Sequence, residues 1–153
     1  HSTEIIVPAL ENGSYILTAE SNDEKIDVFN YTTIQATDMA VIESQTNTQQ
    51  QYQIIDRNSG KPITGAEVIL SYRKNYKDAL KRASYTTDKT GFITIEKSKE
   101  NWNNINITVK TKNDKAHFGE YYVNRNYAQN NEQINFIIHT NAIHTEYNDR
   151  SDW

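Results

Sequence analysis

The side chains able to do acid, base or metal chemistry are spread along this chain rather than gathered in a pattern. Four histidines occur, at His1, His117, His139 and His144. A zinc centre needs convergent ligands, commonly spaced as HxxxH or CxxC, and neither spacing is present. The acids of SNDEKID (Asp23, Glu24, Asp27) and of TEYNDRSD (Glu146, Asp149, Asp152) have the charge to attract calcium. Both lack the central glycine and terminal glutamate of a calcium loop, so they read as solvated turns. Five glycines stand singly, which leaves no P-loop, no dinucleotide fingerprint and no GxSxG elbow. With no cysteine in the chain, thiolate ligands, a cysteine nucleophile and disulfides are absent too. A carboxylate pair for acid–base catalysis is defined by convergence in space, and nothing singles out two of the twenty acids. The sequence therefore nominates no catalytic residue, no cofactor site and no metal ligand, and the expectation is a protein that is not an enzyme.

Aromatic rings offer a different kind of recognition. Trp102 and the run GEYYVNRNY (119–127), with Tyr121, Tyr122 and Tyr127, could stack on a sugar or dock a peptide if the rings shared one exposed face. In a strand, however, successive side chains point to opposite faces, so one ring fills a core while its neighbour covers a wet surface. The sequons at Asn12, Asn30 and Asn106 read as coincidences in a chain rich in Asn and Thr. Net charge is −4 with both signs interspersed. No basic stripe is present, so nucleic acid is not an expected partner.

The elements that would position such groups are strands. Alternation marks TEIIV (3–7), SYILTAE (14–20), KIDVFNYTTIQA (25–36) and MAVIES (39–44) as an up-and-down run. From Gln50 the pattern restarts: QYQIID, AEVILSYR, RASYTTD, FITIEK, INITVKTK, AHFGEYYV and QINFIIHT. Seven strands at this spacing predict an all-β, immunoglobulin/fibronectin-III-like antiparallel β-sandwich with extra N-terminal strands. KNYKDALKR (74–82) is the one helix candidate, and at that length a loop with at most one helical turn is expected.

SQTNTQQ (44–50) is polar and lacks aliphatics, so it reads as a linker with a boundary near Gln45. The expected organisation is residues 1–45 as the closing strands of a preceding domain plus linker, 46–140 as the sandwich, and 141–153 as a tail. No apolar run approaches the ~18 residues of a membrane span, and His1 in place of Met suggests a piece of a longer polypeptide.

One pattern is more specific. Asp56, Ser59, Gly60, Lys61, Pro62, Gly65, Ala66 and Val68 spell D-x-x-S-G-K-P-x-x-G-A-x-V, and Thr87, Asp88, Gly91 and Phe92 follow as T-D-x-x-G-F. Gly60 and Pro62 suit a shaped loop, Ala66 a close approach of two sheets, and Asp88 to Gly91 a tight turn. This pair resembles the macroglobulin-type sandwiches of alpha-2-macroglobulin-like proteins, especially the large bacterial versions of Bacteroidetes. Upstream, LENGSYILTAES (10–21) is similar to a late strand of the preceding macroglobulin domain. TTIQATDMAVIES (32–44) is similar to that domain's last strand and exit, with Asp38, Met39 and Ala40 in the exit motif.

The resemblance implies a non-catalytic frame element of an extracytoplasmic protein, periplasmic or at the cell surface, whose parent traps proteases. Its partners would be neighbouring domains of the same polypeptide and, through the parent, a target protease. Unpaired strand edges in residues 1–45 would seek pairing or dimerisation. Without cysteine the family's thioester cannot lie here, and of its D-R-x-x-Y-R-P-G-Q segment only Asp149-Arg150 is present. The alternative is a carbohydrate- or protein-binding sandwich of a surface enzyme or adhesin, with Trp102, Tyr121, Tyr122 and Tyr127 exposed together. A small hydrolase would require His117 or His139 set against two carboxylates.

Overall fold

The computed structural model describes residues 4–20, 29–124 and 135–139, the last segment by its backbone. Ten strands are present among them and no helix: β1 Gly13–Glu20, β2 Phe29–Ala36, β3 Met39–Gln45, β4 Gln49–Asp56, β5 Glu67–Arg73, β6 Lys81–Thr86, β7 Phe92–Glu96, β8 Trp102–Lys110, β9 Lys115–Val123 and β10 Asn135–His139. Two four-stranded sheets, in the orders β10-β3-β4-β7 and β6-β5-β8-β9, make the sandwich. A separate two-stranded sheet holds β1 and β2. All pairings are antiparallel.

The pleat explains the core. Met39 and Val41 of β3, Tyr52 and Ile54 of β4, and Ile93 and Ile95 of β7 are buried. They share a core cluster with Val68, Leu70, Ile105, Ile107, Val109 and Phe118 of the other sheet. Leu70, Ile105 and Ile107 are wholly buried, and each such aliphatic contributes about 1.5–3 kcal/mol relative to exposure. The edge strand β6 places Ala83 and Tyr85 against this core and leaves Lys81 and Arg82 exposed. Charges on an edge discourage unwanted strand pairing.

Three expectations change. MAVIES is not the exit strand of another unit: β3 pairs along its length with β4, from Met39 opposite Asp56 to Gln45 opposite Gln50. The boundary expected near Gln45 therefore falls inside a hairpin, and among the described residues the sandwich begins at Met39 and holds eight strands rather than seven. The polar stretch read as a linker is the turn of that hairpin. There the Thr46 amide donates to the Gln49 carbonyl at 2.8 Å, and the Thr46 hydroxyl accepts from the Thr48 and Gln49 amides. TEIIV is not a strand over its described residues 4–7, where Ile5 and Ile6 are 66% and 91% exposed. Pro8 follows directly and has no N–H to give to a ladder. Residues 74–80 form a loop with a turn and no helix, as expected. The tail, 141–153, lies outside the described residues.

Candidate functional site

The loop after β4 and the turn before β7 meet at one end of the sandwich. Asp56 Oδ1 accepts from the amides of Asn58 (3.1 Å) and Ser59 (2.7 Å) and from the Ser59 hydroxyl (2.8 Å). Asp88 Oδ1 accepts from the Thr90 amide (2.8 Å), the Thr90 hydroxyl (2.7 Å) and the Phe92 amide (3.0 Å). The Ser59 amide is the chief cause holding the Asp56 carboxyl below its ordinary value, and the Phe92 amide does the same for Asp88. These carboxylates are committed to folding their own loops.

The two loops also hold each other. Thr87 is buried, and its hydroxyl accepts from the Ala66 amide (2.9 Å) while donating to the Ile63 carbonyl (2.7 Å). Its backbone exchanges bonds with the same loop: the Thr87 amide donates to the Ala66 carbonyl, and the Gly65 amide donates to the Thr87 carbonyl, each at 3.0 Å. Ile54 donates to the Gly91 carbonyl and accepts from the Ile63 amide, both at 2.9 Å. Gly91 has φ +78°, and a Cβ there would lie 2.6 Å from the Ile54 carbonyl oxygen and 3.0 Å from Pro62 Cβ. The spacing of the two halves thus has a physical origin in one interlocked end.

A second polar group lies inside the sandwich. Glu43 of β3 accepts from Gln50 Nε2 at 2.7 Å, and the Tyr52 ring meets Tyr121 edge-on with centroids 5.3 Å apart. Burial pushes both tyrosine hydroxyls far above their ordinary titration range. Lys97 donates to Gln45 Oε1 (3.1 Å) and to the Thr46 carbonyl (2.7 Å), and desolvation draws its ammonium down. This is a polar seam that fixes the turn between β3 and β4.

Among the described residues the groups considered for chemistry do not assemble. His117 sits exposed on β9 with Nδ1 3.0 Å from the Thr108 hydroxyl. His1 and His144, the side chain of His139, and the clusters around Asp23 and Asp149 lie outside the described residues. Among the described residues no three metal-binding side chains converge. Tyr121 points into the core while Tyr122 is half exposed, and Trp102 stacks on Tyr72 at 3.9 Å with planes 6° apart. The face of rings needed for sugar stacking is therefore not formed by Trp102, Tyr121 and Tyr122; Tyr127 is outside the described residues. A shallow depression of about 260 Å³ is lined by Lys74, Asn75, Lys99, Glu100 and Asn101, and Lys74 and Glu100 pair across it. It is polar and open, without an apolar wall to hold a ligand.

Three large apolar side chains stand exposed on the β1–β2 hairpin, a feature the sequence marked only as unpaired edges. Register puts Ile16 opposite Thr33 and Tyr31 opposite Thr18, with Phe29 opposite Glu20 at the far end. Opposite residues share a face, so Ile16 (69% exposed), Tyr31 (63%) and Phe29 (58%) project together. No described residue of β1 or β2 is buried.

Its root, in contrast, is tightly bonded. Gln35 donates from Nε2 to the His117 carbonyl (3.0 Å) and accepts the His117 amide at Oε1 (2.7 Å), matching the edge of β9 as a strand would. Asp114 Oδ2 accepts from the Thr37 hydroxyl (2.7 Å) and the Asp38 amide (3.0 Å). The Asp38 carboxylate accepts from Asn12 Nδ2 (2.9 Å) and Asn58 Nδ2 (3.0 Å). Among the described residues the hairpin is thus an arm fixed at its base, with β1 and β2 uncovered. No protein-family model, no curated protein and no solved structure matches this chain.

Proposed function

We propose that this chain is a non-catalytic structural module of a bacterial alpha-2-macroglobulin-like protein, in which stacked sandwiches frame a protease trap. The observation that carries the reading is the interlock of the Asp56–Ala66 loop pattern with Thr87 to Gly91, the part of the sequence on which the resemblance rests. Those residues are used for backbone shape and sheet closure, as a frame requires and as a reaction does not.

The strand order supports the finer fold assignment. Within the sandwich, β3-β4-β7 face β6-β5-β8-β9, a three-on-four arrangement of immunoglobulin/fibronectin-III type, with β10 added beside β3. In this reading β1 and β2 are the closing strands of an adjoining sandwich, the exposed face of the hairpin being the part that an adjoining domain covers. The partners are domains of the same polypeptide and, through it, a protease in the periplasm or at the cell surface.

The test uses the parent polypeptide. After incubation with a protease, it should suppress cleavage of a large protein substrate while sparing cleavage of a small peptide substrate. Equal cleavage of both substrates with and without the parent refutes the trap. A parent that carries a glycosidase or transporter domain instead refutes the family.

A further inference from the structure

We infer that the open edge of β1 is a strand-addition site whose occupant is the segment EIIV, residues 4–7, of a second copy of this chain. Two unsatisfied features of the same molecule point to it. Residues 4–7 run outside any strand, with Ile5 66%, Ile6 91% and Val7 38% exposed. Three consecutive β-branched residues favour a pleated, half-buried surface over free solution. Among the described residues β1 is bonded on one side to β2 and pairs with no strand on the other. A two-stranded hairpin is marginal in water, and a third strand with an apolar face makes it independently stable.

Apart from Glu20 at its end, the edge strand lacks the charges and prolines that protect such strands. From Ser14 to Ala19 it has no charge and no proline, whereas the sandwich edge β6 presents Lys81 and Arg82. Nothing repels the incoming segment either, since its one charge is Glu4 at the end.

The occupant comes from another copy because the connection within one chain is otherwise engaged. A hairpin of 4–7 with β1 would have to be closed by residues 8–12. Asn12 is tied to Asp38 at the root of the arm, and the Glu11 carbonyl accepts from the Tyr15 hydroxyl at 2.8 Å. Those bonds hold the connection against the root, and in the single chain 4–7 stays unpaired. Reciprocal exchange between two copies satisfies both edges about one two-fold axis. This inference rests on the surface of the hairpin alone, so the outcome of the protease-trap assay does not bear on it.

The experiment is sedimentation velocity across a wide concentration range with the 153-residue chain and two exposed-site variants, Ile6→Lys and Ile16→Lys. The expected result is a doubling of the 17.7 kDa mass with rising concentration, abolished by either substitution. Because the chain has no cysteine, Ile6→Cys and Ile16→Cys chains can be mixed and treated with a short bis-maleimide. A heterodimeric cross-link is expected. A monomer at every concentration, a dimer that survives both lysines, or cross-linking only inside an Ile6→Cys, Ile16→Cys double variant would each overturn the inference.

Discussion

Three glycines in the left-handed region offer a controlled test of the interlocked end, because only one of them is crowded. Gly60, Gly65 and Gly91 have φ of +69°, +73° and +78°, so an alanine at any of them meets the same backbone strain, about 1–2 kcal/mol. At Gly60 and Gly65 nothing lies within 4 Å of the added Cβ, and the cost should end there. At Gly91 the Cβ would stand 2.6 Å from the Ile54 carbonyl oxygen, which is backbone and cannot swing aside. Relieving that contact displaces the Ile54 pair, which accepts from Ile63 and donates to Gly91. Each such bond is worth ~0.5–1.5 kcal/mol net, and a buried group left unpaired costs more. Gly91→Ala should therefore lose about 2–5 kcal/mol, from strain and these bonds together, out of the ~5–15 kcal/mol typical of a domain. Urea unfolding followed by tryptophan fluorescence measures all three variants on one scale. A Gly91→Ala cost equal to that of Gly60→Ala would refute the close approach at this end of the sandwich.

Thr87→Val removes the hydroxyl that joins Ala66 to Ile63 while keeping the volume, and should cost ~2–4 kcal/mol because a donor and an acceptor lose their partner. Thr87→Ser should recover most of that loss in the same urea titration. Asp56 and Asp88 have folded-state pKa values below their unfolded ones. Their stabilisation is present above the unfolded pKa of about 3.9 and is lost as pH falls through the folded values. Melting temperature should therefore drop below about pH 4, and an Asp56→Asn, Asp88→Asn double variant should show a flatter acid limb. Asp114→Ala deletes two bonds at the root of the arm, to Thr37 and Asp38. Limited proteolysis should then cut within residues 10–38 faster than in the parent chain, while the fluorescence of the sandwich is unchanged.

Much of the fold could be read from alternation, because a sandwich with one wet face per sheet writes its period directly into the sequence. FITIE and EVILSYR announce both that they are strands and which residues face inward. Pairing is written less plainly. The inward column of β3 runs from Met39 and Val41 into Glu43, and its turn is Thr46-Asn47-Thr48 between glutamines, so it looks like the end of one unit and a linker. Only the register with β4 shows otherwise. The glycine and proline positions of the loop were legible as backbone shape, since positive φ selects glycine. The partner of Thr87, twenty-one residues back at Ala66, could not be read from spacing. Nor could the match between Gln35 and the His117 peptide, which depends on how the arm meets β9. Tyr121 and Tyr122 followed the alternation rule, which is why the candidate aromatic face divides between core and solvent.

The placement of β3 bears most directly on the account, since it makes the sandwich one unit beginning at Met39 and the hairpin a separate arm. Native-state amide exchange of the dilute chain measures it. The amides of Met39–Gln45 should exchange as slowly as those of Gln49–Asp56, and those of Gly13–Glu20 orders of magnitude faster. Met39–Gln45 exchanging together with the hairpin would contradict the account and return the boundary to residue 45.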